Sequence, residues 1–421
     1  MLSCNNIRNL LCAAALLFLA SFGLSARVEP GIELLREMEF APLEGKRVGL
    51  VTNPSGVDSQ LRSTVDILFD APNVNLVALY APEHGIRGDI YAGGKVESGI
   101  DERTGLPVHS LYGATRQPTP EMLKGIDIIV YDIQDVGSRS YTFISTLGLV
   151  MRSCAAADIP VLVLDRPNPL GGLKVEGAPV CDGFHSFVGQ YKIPYIYGLT
   201  VGELARLINE EGLNCGQNGR EEHLYCELAV IPMRGWKRDM LFADTGLPWV
   251  LPSPNIPYAE NAVCYPSAGL CGEVYNYLNI GIGYTLPFGT FAEEWIDADK
   301  LKACLDSYNL PGIAWRTIHY KPTSGRLSGK MIHGVQYFYT DYEKATVTLT
   351  QFYVMQAVFE LYSRNPFKDP KTSLTMFNKV CGTDFVSREF GRTMKVASIK
   401  EYWNSGVEEF KALSKEYYLY N

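Results

Sequence analysis

The chain has 421 residues, 47% of them hydrophobic and 20% charged, with 38 Lys and Arg against 46 Asp and Glu for a formal net charge of −8. That acidic balance, with no basic block, argues against nucleic acid and anionic membrane surfaces as partners. The length suffices for two or three domains and a large core.

At the N-terminus Arg8 precedes an apolar run from Leu10 to about Leu24, which ends in the small residues Ser25 and Ala26. This is the pattern of a secretory signal over residues 1–26. The run is shorter than the roughly 20 residues of a spanning helix. No cysteine comes just after it to carry a lipid, Cys4 and Cys12 lying before or within it, and no later run is apolar for long enough to cross a bilayer. A product exported to the periplasm or medium is expected. Cys154, Cys181, Cys215, Cys226, Cys264, Cys271, Cys304 and Cys381 remain, with no C-x-x-C pair and no histidine cluster, so no structural zinc is expected. Export permits disulfides, of which one or two at most are expected, against buried free thiols.

Between Arg47 and Met233 short β-branched runs alternate with helical stretches, the signature of an α/β parallel sheet wrapped by helices. Strands are expected at Val48–Thr52, Val74–Tyr80, Ile126–Tyr131, Val161–Leu164 and Leu228–Ile231, and helices at Ser59–Phe69, Ser140–Ala157 and Val201–Glu211. Thr200 and Glu203 form a T-x-x-E capping box before the last of these. The four prolines of GLPWVLPSPNIP (246–257) exclude an interior strand or helix, leaving a crossing segment. The expected layout is a Rossmann-like α/β domain over 27–258 and a smaller α+β domain over 259–421. In the second part, helices are expected near Ala298–Asp306, Leu349–Ser363 and Ser398–Tyr417, and a strand at Gly334–Tyr339. Ser398 and Glu401 suggest a second capping box, and Tyr402, Trp403, Val407, Phe410, Leu413 and Tyr417 form an apolar core stripe.

The chemistry lies in the segments just past the strand ends. Thr52-Asn53-Pro54, APEHGIRG (81–88), DIQDVGSR (132–139) and DRPNPLGG (165–172) are polar and turn-forming. In open parallel sheets ligands bind beyond the carboxyl ends of the strands, so these segments should converge on one crevice. No G-x-G-x-x-G or G-x-x-x-x-G-K-[ST] loop serves a nucleotide there, and no G-x-S-x-G elbow or H-E-x-x-H motif is present. No cofactor or metal is expected.

The crevice offers carboxylates instead: Glu83, Asp132, Asp135, Asp165 and Glu176. Glycoside hydrolysis needs little beyond one acid for the leaving oxygen and a second group to activate water or attack. Glu83, stiffened by Pro82 and flanked by His84 and Arg87, is the first catalytic candidate; a loop carboxylate paired with Arg87 is the bland alternative. Asp135 is the second, although an Asp at a strand end often only holds a loop. Arg139 and Arg166 are candidate clamps for a substrate carboxylate, or ties for the Asp-rich loops. Asn53, His84, Arg87, Asp132, Asp165, Asn168 and Glu176 complete the candidate substrate-binding set.

Seven ordered blocks resemble the exo-β-N-acetylmuramidase family: GLVTNPSG (49–56), APEHGIRG (81–88), TGLPVHSLYG (104–113), YDIQDVGSRSYT (131–142), LDRPNPLGG (164–172), YGLTVGELA (197–205) and LPWVLPSPNIP (247–257). The resemblance implies a Rossmann-like domain, a smaller second domain and a cleft between them. It also implies release of N-acetylmuramic acid from non-reducing ends of peptidoglycan fragments. The family's PEHG glutamate falls on Glu83 and its Asp-rich loop on Asp132, Asp135 and Arg139. Where relatives carry Glu-Gly and then Gly-Arg-Gly-Thr before Pro-Phe, this chain reads GEVYNYLNIGIGYTLPF (272–288), with Ile282 at the arginine and Glu273 near the glutamate. A sugar-binding protein that keeps the cleft without the chemistry is the alternative from another class, since such proteins also close over a ligand. A nucleotide-dependent enzyme is disfavoured by the missing phosphate loop.

Overall fold

The computed structural model describes residues 27–88, 94, 97–213 and 224–421. The expected signal segment and Cys215 lie outside them. Seven strands form the main sheet: β1 (Arg47–Thr52), β2 (Asn75–Ala81), β3 (Gly99–Ile100), β4 (Pro107–Ser110), β5 (Ile128–Asp132), β6 (Val161–Leu164) and β7 (Leu228–Ile231). Their order is β3-β4-β2-β1-β5-β6-β7, and only β3 runs antiparallel to its neighbour. With β3 set aside, the parallel strands take the order third, second, first, fourth, fifth, sixth, that of a doubly wound sheet. The order reverses between β1 and β5, which places a crevice beyond their carboxyl ends.

The strands are apolar throughout because both faces are covered. All five residues of β5 are buried. Ile129 and Tyr131 pack on one face with Phe143, Leu147 and Val150 of helix Phe143–Ala155. Ile128 and Val130 pack on the other with Ile32, Leu35, Val65 and Leu68. Continuous hydrophobic runs of this kind are what a two-sided parallel strand requires. The edge strands β3 and β4 add to the expected set; they are short, and Gly99 and Ile100 are exposed, so they carry little periodic signal.

Helix Val201–Glu211 begins as its sequence dictates: the Thr200 hydroxyl accepts from Glu203 N (3.2 Å), and the Glu203 carboxylate accepts from Thr200 N (3.1 Å). Segment 246–257 contains neither helix nor strand. Beyond it, helix Ala259–Gly272, absent from the sequence-based expectation, carries Pro266 in its interior. Gln351 braces it, donating to Pro266 O (3.0 Å) and accepting from Cys271 N (3.0 Å). A second, antiparallel sheet has the order β8 (Thr290–Glu293), β10 (Ile332–Tyr339), β9 (Ile313–Tyr320). Its Trp315, Val335 and Tyr337 pack with Leu301, Leu305 and Phe352 of helices Ala298–Ser307 and Thr350–Tyr362.

The continuous helix expected over Ser398–Tyr417 is broken into Lys400–Trp403 and Val407–Ser414. Gly406, at φ +73°, turns the chain between them. The second capping box does not form: Ile399 is the N-cap, and the Ser398 hydroxyl donates to Lys395 O (2.8 Å). The break has a packing reason. Trp403 enters the core of the second sheet with Phe352, whereas Val407, Phe410 and Tyr417 pack against the first. Among the described residues every cysteine is a free thiol, so no disulfide joins them. No described helix is long and apolar enough to cross a membrane.

Candidate functional site

The loops after β1 and β5 are stitched together at the switch point. Thr52 donates to Asp132 O (2.7 Å), Asn53 accepts from Ser55 N (2.9 Å), and Ser55 Oγ accepts from Gln134 N (3.0 Å). Gly56 packs so closely that a Cβ there would lie 2.1 Å from the Thr52 hydroxyl. Asn53 also donates to Pro252 O (3.3 Å), which fastens the crossing segment over the crevice.

Within this frame Asp135 is buried, and its Oδ2 accepts from Gly137 N (2.8 Å) and from the Tyr197 hydroxyl. Its Oδ1 is buried with no partner among the described residues. Burial outweighs these donors and pushes the carboxyl up to about 6. Glu83 leaves the end of β2 half-buried, between Pro82 and His84, which sits at φ +74°. Thr142, the residue before helix Phe143–Ala155, donates to its Oε2 (2.7 Å), and burial together with the nearby charge of Glu83 pushes the Tyr112 phenol up.

Both acids act electrostatically on the same two phenols, Tyr141 and Tyr265, whose rings meet edge-on at 5.3 Å. Tyr265 stands on helix Ala259–Gly272 and also feels Glu273 at that helix's C-cap. Burial raises the Glu273 carboxyl, and the negative end of the helix disfavours its charge in the same sense. Tyr141, next to Thr142, and Tyr265, whose hydroxyl bonds Ser140 (2.9 Å), thus form an aromatic wall from both parts of the chain beside the loop that bears Asp135.

The other candidates are spent on internal bonds. Asp132 is inaccessible, held by Arg166 through two hydrogen bonds and by Thr64; Arg166 also donates to Val57 O (2.8 Å). Asp165 accepts from Thr200 (2.7 Å), Gly202 N (2.7 Å) and Tyr420 (2.6 Å). Asn168 bonds Leu199 O and Leu170 N (both 2.9 Å). Glu176 accepts from the Val347 and Thr348 amides (3.1 and 2.8 Å), tying the two parts together. Arg87 is paired with Asp101 (2.7 Å).

Arg139 is the plainest correction. It is 0% exposed, and its guanidinium donates to the carbonyls of Ala178, Ile193, Val380 and Cys381 at 2.7–3.1 Å. Four of the five N–H groups of Arg139 are spent on these carbonyls and its Nε is buried without a partner among the described residues, so it is closed to substrate; Arg166 is held to Asp132 and Val57 through Nε and Nη2. Among the described residues no three His, Cys, Asp or Glu side chains group as a metal site would require.

Two family models cover nearly all of the described chain: the N-terminal part of exo-β-N-acetylmuramidase NamZ matches residues 48–260 and its C-terminal part residues 263–420. The chain belongs to the exo-β-N-acetylmuramidase family. It is 41% identical over 394 residues to the peptidoglycan β-N-acetylmuramidase NamZ of Bacillus subtilis (strain 168), spanning 94% of this chain and 92% of that protein. Two crystal structures of DUF1343 family proteins from Bacteroides fragilis NCTC 9343 share the fold. One is 48% identical with a TM-score of 0.88, the other 28% identical with a TM-score of 0.73, each covering 94% of this chain and 99% of its own.

In this member of the family the site residues that the sequence alone does not reveal are mostly hydroxyls: Tyr112, Tyr141, Thr142, Tyr197 and Tyr265. Tyr112, Tyr141, Thr142 and Tyr197 lie inside the matching blocks TGLPVHSLYG, YDIQDVGSRSYT and YGLTVGELA. An isolated tyrosine in such a block carries no spacing that marks it as a partner of a carboxylate far away in sequence.

Proposed function

We propose that this protein is an exo-acting glycoside hydrolase that releases N-acetylmuramic acid from non-reducing ends of peptidoglycan fragments. Glu83 protonates the leaving oxygen, and Asp135 supplies the opposing carboxyl chemistry. The observation that carries this reading is that one segment, between β5 and helix Phe143–Ala155, bears Asp135 and also holds Glu83 through Thr142 (2.7 Å), at the switch point of the sheet. A half-buried Glu83 held by Thr142 (2.7 Å) and a buried Asp135 on the next loop of the sheet offer the two carboxyls that glycoside chemistry needs. The name of the B. subtilis relative supports the muramide as substrate. The apolar run at residues 10–24 supports export to the periplasm or medium, where such fragments occur.

The test is turnover of a chromogenic β-N-acetylmuramide beside the matching glucosaminide. Preferential release from the muramide is expected. Equal kcat/KM values would overturn the muramide assignment, and binding without release from either would leave a sugar-binding protein.

A further inference from the structure

Arg139 is fully buried and Arg166 is neutralised by its pair with Asp132, so an acidic sugar is met most directly by a cation without such a pair, and the loop after β4 holds one. Strands β2 and β4 run side by side with Ala81 opposite Ser110, and Leu111 N donates to Ala81 O (2.8 Å). The two loops therefore leave the sheet together. Glu83 lies two residues beyond Ala81, and Tyr112, whose phenol feels the Glu83 charge, lies two residues beyond Ser110.

Four residues further on, the exposed guanidinium of Arg116 rests 4.3 Å from the centroid of the Phe187 ring and 5.8 Å from that of Tyr112. The turn that carries it is fixed: the Thr115 hydroxyl donates to Gln117 O (2.8 Å) and accepts from Gln117 N (3.2 Å). Arg116 has no carboxylate partner among the described residues. A guanidinium resting on aromatic rings is held in place while its N–H edge stays available, the arrangement that suits bidentate capture of a carboxylate.

We propose that Arg116 is the carboxylate-binding residue of the cleft and takes the lactyl carboxylate of N-acetylmuramic acid; this rests on the muramidase reading above. Its guanidinium lies 5.8 Å from the centroid of the Tyr112 ring, and that phenol feels the charges of both Arg116 and Glu83. A pyranose carries its scissile bond at C1 and the lactyl ether at C3, so the carboxylate is displaced from the bond by about one ring width. Glu83 and Arg116 span that separation from adjacent loops. Specificity then comes from a cation placed one loop away from the acid, and Ile282 needs no charge.

The experiment is a cycle of wild type and Arg116→Ala against a chromogenic β-N-acetylmuramide and the same compound with its lactyl carboxylate converted to the amide. Wild type should prefer the acid by roughly tenfold or more in kcat/KM, mainly through KM, the scale of one charged hydrogen bond. In Arg116→Ala the preference should fall to about one, and Arg116→Lys should restore only part of it. An unchanged preference in Arg116→Ala, or a wild type with none, overturns the proposal. If wild type turns over neither compound, the hydrolase reading has failed, and the site is read by calorimetric titration with free N-acetylmuramic acid and N-acetylglucosamine. Tighter binding of the acid, lost in Arg116→Ala, then sustains the carboxylate site, and equal binding by wild type removes it.

Discussion

Tyr197 donates its hydroxyl to Oδ2 of Asp135, while Oδ1 of the same carboxylate is buried without a partner among the described residues. Of the two, the hydroxyl favours the ionised acid and the burial opposes it, with burial the larger effect. Removing the hydroxyl in Tyr197→Phe should move the carboxyl further up from about 6. A charged hydrogen bond of about 1.5–3 kcal/mol corresponds to roughly one or two pH units. If Asp135 must be ionised for turnover, the acidic limb of the kcat/KM profile shifts upward by about that much. A profile that stays in place while stability falls would confine Asp135 to a structural role.

The same carboxyl makes stability depend on pH. Its folded pKa lies above the unfolded value of 3.8, so the folded state holds the proton more tightly and stability falls as pH rises from about 4 to about 6, then levels off. Asp165, also pushed up to about 6 by burial, adds in the same direction. The melting temperature should therefore drop across that window, and Asp135→Asn should lessen the drop by an amount on the order of 3 kcal/mol at pH 7. Melting curves from pH 4 to 8 on both proteins check the sign; a variant less stable than wild type at pH 7 would contradict it.

Glu83→Gln keeps the shape of the side chain and the bond from Thr142, but the amide cannot deliver a proton to a leaving oxygen. Turnover of the muramide should fall by about 100-fold or more, with the melting temperature within a few degrees of wild type. Retention of most of the rate would remove Glu83 from the acid role.

Arg139→Ala should act on the fold rather than on substrate affinity. Four buried carbonyls lose their donor at once, at about 1–3 kcal/mol for each unsatisfied group. Loss of soluble protein or a melting temperature lower by ten degrees or more is expected. A stable Arg139→Ala with only a raised KM would return this residue to the substrate.

Near the C-terminus, Tyr420 joins Asp165 (2.6 Å) and accepts from Met233 N (2.8 Å), while Leu419 N donates to Glu203 (2.9 Å). Tyr420→Phe leaves both partners buried and should destabilise by about 2 kcal/mol. Chemical denaturation at pH 7 reads this directly. A change under about 0.5 kcal/mol would mean that water replaces the hydroxyl.

The sheet strands β1, β2, β5, β6 and β7 and the helices beside them are legible in the sequence because two-sided burial demands unbroken apolar runs and because Thr200 and Glu203 mark a helix start by local chemistry alone. Position also makes Glu83 and Asp135 visible: polar residues just beyond buried strands must lie at the carboxyl edge of the sheet. Tertiary structure decides the rest, since it depends on partners far apart in sequence. Whether an arginine faces substrate or interior is settled by carbonyls from remote segments, as at Arg139 with Val380 and Cys381. The stripe from Tyr402 to Tyr417 is a single pattern in the sequence, yet Gly406 divides it between two cores. Tyr112, Tyr197 and Tyr265 become partners of the cleft acids only once the β4 loop, the segment before helix Val201–Glu211 and helix Ala259–Gly272 are folded against the switch point, an arrangement that no local periodicity encodes.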